Sequence, residues 1–250
     1  MKIIATLPTY NEAENIEEII RHILEQDDSI HVLVIDDLSP DGTGDIVERL
    51  AEKNNRVYIL HRNSPRGRGL AGIDGFKTAI TMGASAVIEM DADFSHNPKH
   101  IPEMLKYIRE YDIVIGSRFV QGGSEKGRSR AREIISILAN TYIRTLLRFP
   151  VKDCSSGYRC FTRQILEKID FDSFESIGPS IVSELLFHAV VYHRARIKEI
   201  PICFEDRTKG ASKLNKKILL HNLFFIAKLW VKKMNYLIHQ RRNTENVKQP

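Results

Sequence analysis

Short apolar runs separated by amphipathic stretches organise the first half of the chain. Residues 2–7, 31–36, 57–60, 85–90 and 112–116 are rich in Ile, Val and Leu and read as strands. Between them, 12–26, 42–54, 70–83 and 98–110 repeat apolar residues at three- and four-residue intervals, as helices with one buried face do. This alternation predicts an α/β fold with a doubly wound, mostly parallel sheet and crossover helices. Turn formers fall between the runs, at Ser39-Pro40-Asp41-Gly42 and at Asn97-Pro98. Residues 117–131 are polar, Gly-rich and basic, and read as a long loop of the kind that forms lids or stays disordered. A helix over 132–148 follows, then a short polar turn, helices near 162–169 and 179–193, and a strand near 196–204.

The segment 216–239 has a pattern of its own. Lys217, His221, Lys228, Lys232, Asn235 and His239 fall on one narrow polar stripe of a helix. Most other positions are apolar, among them Leu219, Leu220, Leu223, Phe225, Ile226, Leu229 and Trp230. The unbroken apolar run from Leu223 to Ala227 is far short of the roughly 20 residues a spanning helix needs. An interfacial membrane helix fits this pattern, and so does a helix packed on the domain's own core. The chain therefore divides into a domain over 1–214, an amphipathic helix over 215–240 and a disordered tail over 241–250.

Charge sharpens the picture. The net charge of +5 combines a body with 26 basic and 31 acidic residues and a segment from Arg207 onward with 11 basic residues and one acidic. A basic end on an acidic body suits an anionic surface, or is a solvated end that aids solubility. Its basic residues flank an amphipathic helix rather than interleave with aromatics on a sheet, so a nucleic-acid partner is not expected. Three cysteines form no Cys-x-x-Cys pair, against a disulfide framework or zinc site. The chain opens directly into a strand-like run, so no secretory leader is expected.

The candidate chemistry gathers at strand ends. The run from Ala86 to Met90 leads into Asp91-Ala92-Asp93, two carboxylates one residue apart. Strand alternation puts both on one side. Two hard oxygen ligands there suit Mg²⁺ or Mn²⁺ with a diphosphate, although acidic residues at strand ends also serve as solvated turn formers. Tyr10 and Glu12 follow the first strand, where an aromatic face and a carboxylate can hold a base; Asn11 there reads equally as a helix N-cap. Asp36-Asp37 end the second strand, placed to meet a ribose or base. Arg66-Gly67-Arg68-Gly69 reads as a basic loop opening a helix near the phosphates. His96 reads as a hydrogen-bonder in a turn.

These segments occur in an order that resembles glycosyltransferase family 2 with its GT-A fold, and most of all its dolichyl- and polyprenyl-phosphate mannosyltransferases. The resemblance runs from Leu7-Pro8-Thr9-Tyr10-Asn11-Glu12 through Ile35-Asp36-Asp37, Gly69-Leu70-Ala71, Asp91-Ala92-Asp93-Phe94-Ser95-His96 and Gly116-Ser117-Arg118-Phe119. It continues through Arg132 with Ser136, Asp153 with Ser156-Gly157-Tyr158-Arg159, and Arg207 with Gly210, Ser212 and Lys213.

The resemblance implies a GT-A nucleotide-sugar transferase fold. It implies inverting, metal-dependent transfer of mannose from GDP-mannose to dolichyl or polyprenyl phosphate, or, with the fold kept, of a sugar from UDP-glucose or UDP-N-acetylglucosamine. Pro8, Tyr10, Glu12, Ile35 and Asp37 would form the nucleoside pocket. Asp91, Ala92 and Asp93 would meet the diphosphate and its Mg²⁺ or Mn²⁺, with the metal on Asp91 and Asp93. Arg118, Arg207 and Lys213 would line the phosphate side, and Arg132 and Ser136, with Arg118, would hold the acceptor phosphate. Asp93, Arg118 and Arg132 are the implied catalytic residues. Some relatives carry Gln where this chain has Ser95, a poorer metal ligand, and Glu184 falls where relatives carry an acidic residue. The implied setting is peripheral, on the cytoplasmic face of a membrane; some members work with a small membrane subunit.

Overall fold

Seven strands form one sheet: β1 (Ile3–Thr9), β2 (Ile30–Asp36), β3 (Val57–His61), β4 (Ala86–Glu89), β5 (Ile113–Ser117), β7 (Arg159–Thr162) and β8 (Ile197–Pro201). Their order is β3-β2-β1-β4-β7-β5-β8. All neighbours are parallel except β7, which runs antiparallel to both β4 and β5. Two short strands, β6 (Ser124–Lys126) and β9 (Cys203–Glu205), pair in parallel beside this sheet. This is a computed structural model; it describes residues 1–63, 65–176, 178, 180–206 and 216–246, with only the backbone described for 216–220 and 241–246.

Alternation along the central strands builds two cores. In β2, Val32 and Val34 face a cluster that includes Ile16, Ile19, Ile20 and Ile23 of α1 (Ile16–Leu24). Leu33 and Ile35 point the other way, to Ile73 and Phe76 of α3 (Arg68–Thr81). With period two on the strands and helices on both faces, each central strand is buried on both sides. Burying each of the four α1 isoleucines contributes about 1.5–3 kcal/mol. Gly75 lets α3 lie close to the sheet: a Cβ there would come within 2.9 Å of Ile35 Cδ1. The remaining long elements are α2 (Thr43–Lys53), α4 (Ile101–Tyr107), α5 (Arg130–Leu147), α6 (Arg163–Lys168), α7 (Ile181–Phe187), which continues as a π-helical turn, and α8 (Lys216–Asn246).

Several expectations shift. The first helix begins at Ile16 rather than at 12, because Asn11 sits in the left-handed region (φ 63°) and its backbone N–H is held by Ser39 Oγ. The segment 117–131 contains β6, and the run near 196–204 divides into β8 and β9. The stretch before Thr162 read as a polar turn contains β7. The backbone of α8 stays helical to Asn246, through residues expected in a disordered tail.

The last helix is both packed and exposed. Phe225, Ile226 and Leu229 are buried in the core shared with α3 and α7. Tyr142 Oη on α5 donates to the Leu223 carbonyl (3.2 Å), and Lys233 Nζ to that of Leu147 (2.6 Å). Lys228 and Lys232 both pair with Glu175, whose carboxyl their hydrogen bonds pull down to about 2. Phe224, Trp230, Val231, Leu237 and Ile238 remain exposed, and so do Ile134, Ile135, Ile137 and Leu138 near the start of α5. Among the described residues, no helix is long and apolar enough to cross a membrane.

Candidate active site at the carboxyl edge of the sheet

The carboxylate pair lies just beyond β4, which ends at Glu89, so strand alternation does not place it. A tight turn does. Phe94 takes a left-handed backbone (φ 63°), and Ser95 turns back so that its N–H and Oγ–H both donate to Asp93 Oδ1, at 3.1 and 2.6 Å. Ser95 therefore orients Asp93. His96 is buried and stacked on Tyr158, with ring centroids 5.0 Å apart. Its Nδ1 accepts the backbone N–H of Asp91 at 3.0 Å, the turn role expected for it, which leaves the ring proton on Nε2. Burial holds the pKa of this imidazole below its ordinary value. Ala92 is buried between the two carboxylates.

One strong contact of Asp91 was not anticipated. Arg68, the first residue of α3, donates from Nε to Asp91 Oδ1 at 3.0 Å and from Nη1 to Glu89 Oε1 at 2.8 Å. Burial opposes the guanidinium charge, but Asp91 and then Glu89 outweigh it, so the Arg68 pKa is raised. Glu89 is only 2% exposed. A carboxylate inside an otherwise apolar strand was the sequence signal for this contact.

The loops expected to hold the nucleoside are tied to each other. The backbone N–H groups of Asn11, Glu12 and Ala13 bond to Ser39 Oγ, Thr43 Oγ1 and Asp41 Oδ2, each at 3.0 Å. The turn after β2 thus holds the loop after β1. Pro8 and Ile35 lie on paired positions of β1 and β2. The Arg66 guanidinium lies 4.6 Å from the Tyr10 ring centroid and donates to Tyr10 Oη at 2.9 Å. Asp37 is buried; it pairs with Arg62 and accepts the Gly67 N–H at 2.8 Å. Glu12 accepts from Asn15 Nδ2 at 3.1 Å. Arg62, which braces this pocket, carries no signal in the sequence, and Arg66, expected near phosphates, braces it at Tyr10.

The phosphate side differs from expectation at Arg118. Its Nε and Nη2 form a two-pronged pair with Asp153 at 2.8 Å each, Nη2 also donates to Ser155, and Nη1 donates to Glu125 on β6. The side chain is 7% exposed. It is placed to brace β6 and the turn before β7 rather than to meet a phosphate. The ring of Phe204 on β9 ties this cluster to the carboxylate edge: His96 lies at 6.0 Å, and the Arg118 and Arg128 guanidinium carbons at 5.6 and 5.1 Å. Arg132 is half exposed and pairs with Asp206 (3.3 Å); Ser136 lies one helical turn further along α5, on the same face. Arg207 and Lys213 lie outside the described residues. Glu184 is fully buried and accepts the backbone N–H groups of Glu175 and Ser176 and the Ser176 hydroxyl, so it tethers a loop.

Asp91 and Asp93 offer hard oxygen ligands of the kind a divalent cation takes, and Asp91 already faces one cation, the Arg68 guanidinium. No cluster of three or more His, Cys, Asp or Glu gathers among the described residues, so the remaining ligands would come from a diphosphate and water.

Residues 5–170 match the family described as glycosyl transferase family 2. Polyprenol monophosphomannose synthase of Mycolicibacterium smegmatis is 36% identical over 228 residues, covering 90% of this chain and 86% of the relative. Undecaprenyl-phosphate mannosyltransferase of Micrococcus luteus is 37% identical over 215 residues, covering 86% of this chain and 88% of the relative. Among solved structures, glucosyl-3-phosphoglycerate synthase of Mycobacterium tuberculosis, in complex with Mn²⁺, UDP and glucosyl-3-phosphoglycerate, superposes with a TM-score of 0.64 at 18% identity. That match covers 93% of this chain and 79% of the other, and it shows the shared GT-A fold. By the family match over residues 5–170 and by relatives 36–37% identical over most of its length, the chain belongs to glycosyl transferase family 2 and is a glycosyltransferase.

Proposed function

We propose that this enzyme transfers mannose from GDP-mannose to a dolichyl-type polyprenyl phosphate, with Mg²⁺ or Mn²⁺ held on Asp91 and Asp93. The observation that carries the acceptor is on α5. There Arg132 and Ser136 share one face, and Ile134, Ile135, Ile137 and Leu138, on the other sides of the same helix, are exposed to solvent. A helix with a cationic and hydroxyl pair on one face and exposed aliphatics on the others offers separate contacts to a phosphate head and a hydrocarbon tail. The names of the two bacterial relatives support the same acceptor class and the same sugar.

The division of labour follows from the chemistry. When bound, the metal supplies positive charge to the leaving diphosphate. Tyr10, Asp37 and the loops around them hold the nucleoside. Arg132 and Ser136 aim the acceptor phosphate, because a guanidinium fork matches phosphate geometry. A phosphate monoester is already anionic near neutral pH, so the site needs no strong base. Asp93 acts by position and charge, and attack from the far side of the anomeric carbon inverts it. Arg118 braces this assembly through Asp153 and Glu125.

Incubation with Mn²⁺ or Mg²⁺, polyprenyl phosphate and a panel of GDP-mannose, UDP-glucose and UDP-N-acetylglucosamine tests the reading directly. Labelled mannose is expected in the lipid fraction from GDP-mannose alone. A lipid product from a UDP-sugar instead would replace the donor, and no lipid product from any donor would remove the function.

The exposed faces of α5 and α8 are proposed to rest on the membrane that carries the acceptor. Leu138→Glu is expected to weaken binding to anionic phospholipid vesicles about tenfold or more, since losing one apolar side chain from the interface removes about 1.5–3 kcal/mol. The melting temperature should not move, because Leu138 is 63% exposed. Vesicle sedimentation equal to wild type would refute this orientation.

A further inference from the structure

Arg68 occupies an unusual place. It opens α3, and a cation in the first turn of a helix opposes the helix dipole. Its guanidinium nevertheless spans Glu89 and Asp91, with Nη2 3.0 Å from Asp91 Oδ1. The neighbouring Arg159, fully buried across the β4–β7 pair, gives its bonds to the carbonyls of Val182 and Cys154 instead. Arg68 is therefore the side chain hydrogen-bonded to Glu89 from the helix side, and it reaches Asp91 from that anchor. Gly157 makes room for it: a Cβ there would lie 2.8 Å from Arg68 Nη2.

Arg68 holds Oδ1, one of the two carboxylate oxygens that a divalent ion on Asp91 would draw on, and its charge opposes a second cation there. We propose that Arg68 is a resident cation that competes with the metal for Asp91, so that the metal binds weakly until a nucleoside diphosphate arrives with it. The inference rests on the metal reading above. Glu89 provides the pivot. Nη1 can stay on Glu89 while Nε leaves Asp91, and the released edge of the fork then faces the incoming diphosphate, for which a guanidinium is a good partner. Metal and diphosphate binding are thereby coupled, because each favours the arrangement in which Arg68 has left Asp91.

The test measures Mn²⁺ binding to the full chain by electron paramagnetic resonance of the free ion, with no sugar donor and hence no turnover. Arg68→Gln is expected to bind Mn²⁺ about tenfold more tightly than wild type, the change that corresponds to losing one competing ion pair worth about 1.4 kcal/mol. With GDP present the gap should shrink to less than about threefold, since the diphosphate draws Arg68 away in the wild type. Gly157→Ala keeps the arginine but crowds its guanidinium, and should shift Mn²⁺ affinity in the same direction. Wild-type affinity in both variants would overturn the competition. Mn²⁺ binding that is absent from wild type and Arg68→Gln alike, even with GDP, would overturn the metal reading and this inference with it. A thermal melt of each variant separates these results from misfolding.

Discussion

Asp93→Asn is expected to lower kcat/KM roughly a hundred- to a thousand-fold, the scale for losing one charged contact to a transition state. The fold should survive. Asp93 is only half buried, and its structural work is to accept the N–H and hydroxyl of Ser95, which an amide oxygen can also do. What the amide cannot supply is the negative charge that pairs with Asp91 around a divalent ion. The loss should fall on kcat more than on KM, because the charge matters most as the diphosphate departs. Steady-state kinetics over a Mn²⁺ titration, with a thermal melt as control, decide it. Turnover within twofold of wild type at saturating Mn²⁺ would remove Asp93 from its assigned role.

The largest effect on stability is expected at Asp153. This carboxylate is fully buried, and Arg118, almost as buried, bonds it through Nε, Nη2 and its own backbone N–H. Asp153→Ala would leave the guanidinium buried with Glu125 and Ser155 but without its main partner, and should cost about 3–5 kcal/mol. The pH dependence has a definite sign. Burial pushes the Asp153 carboxyl up, but the hydrogen bonds and charge of Arg118 outweigh it and hold the folded pKa below the ordinary 3.8. The pair's stabilisation is therefore complete above about 3.8 and is lost as pH falls below that toward the folded value. Urea unfolding at pH 7 and pH 3 should show a smaller acid-induced loss in Asp153→Asn than in wild type. An equal loss in both would mean that the pair does not couple to folding in this way.

The sequence showed the sheet's first five strands because each is an apolar run, buried on both faces except in the edge strand β3, where only Val57 is fully buried. It did not show β7, for a physical reason. Arg159-Cys160-Phe161-Thr162 is four residues long and begins with an arginine, which composition assigns to the surface but the fold buries completely. The strand β6 escaped because its three-residue run, Ser124–Lys126, is polar and pairs only with β9, while β9 was legible only as the end of one longer strand near 196–204. At the site, the grouping of Asp91 with Asp93 was legible, but the geometry behind it was not, since the strand ends two residues early and a left-handed Phe94 makes the turn. Arg66 and Arg68 read from the sequence as facing phosphate; in the fold they meet Tyr10, Asp91 and Glu89. Arg118 shows the limit most plainly. An arginine in a site motif looks alike whether it awaits a ligand or already bonds an aspartate 35 positions away.

The reversed direction of β7 also governs when the site can form. Because that strand enters the sheet at the carboxylate edge, Gly157 and Tyr158 are delivered beside Arg68 and His96 by a pairing of Glu89 with Arg159, 70 positions apart in the chain. Such distant pairings close late in folding, because the loop between them must first lose its freedom. The strands β1–β4 can pair without it, but β5, which pairs with β7 and β8, cannot join them, and the pocket cannot form. Recovery of nucleotide binding during refolding should therefore lag recovery of secondary structure, and a newly made chain carries no competent donor site until residues well past Arg159 have been synthesised.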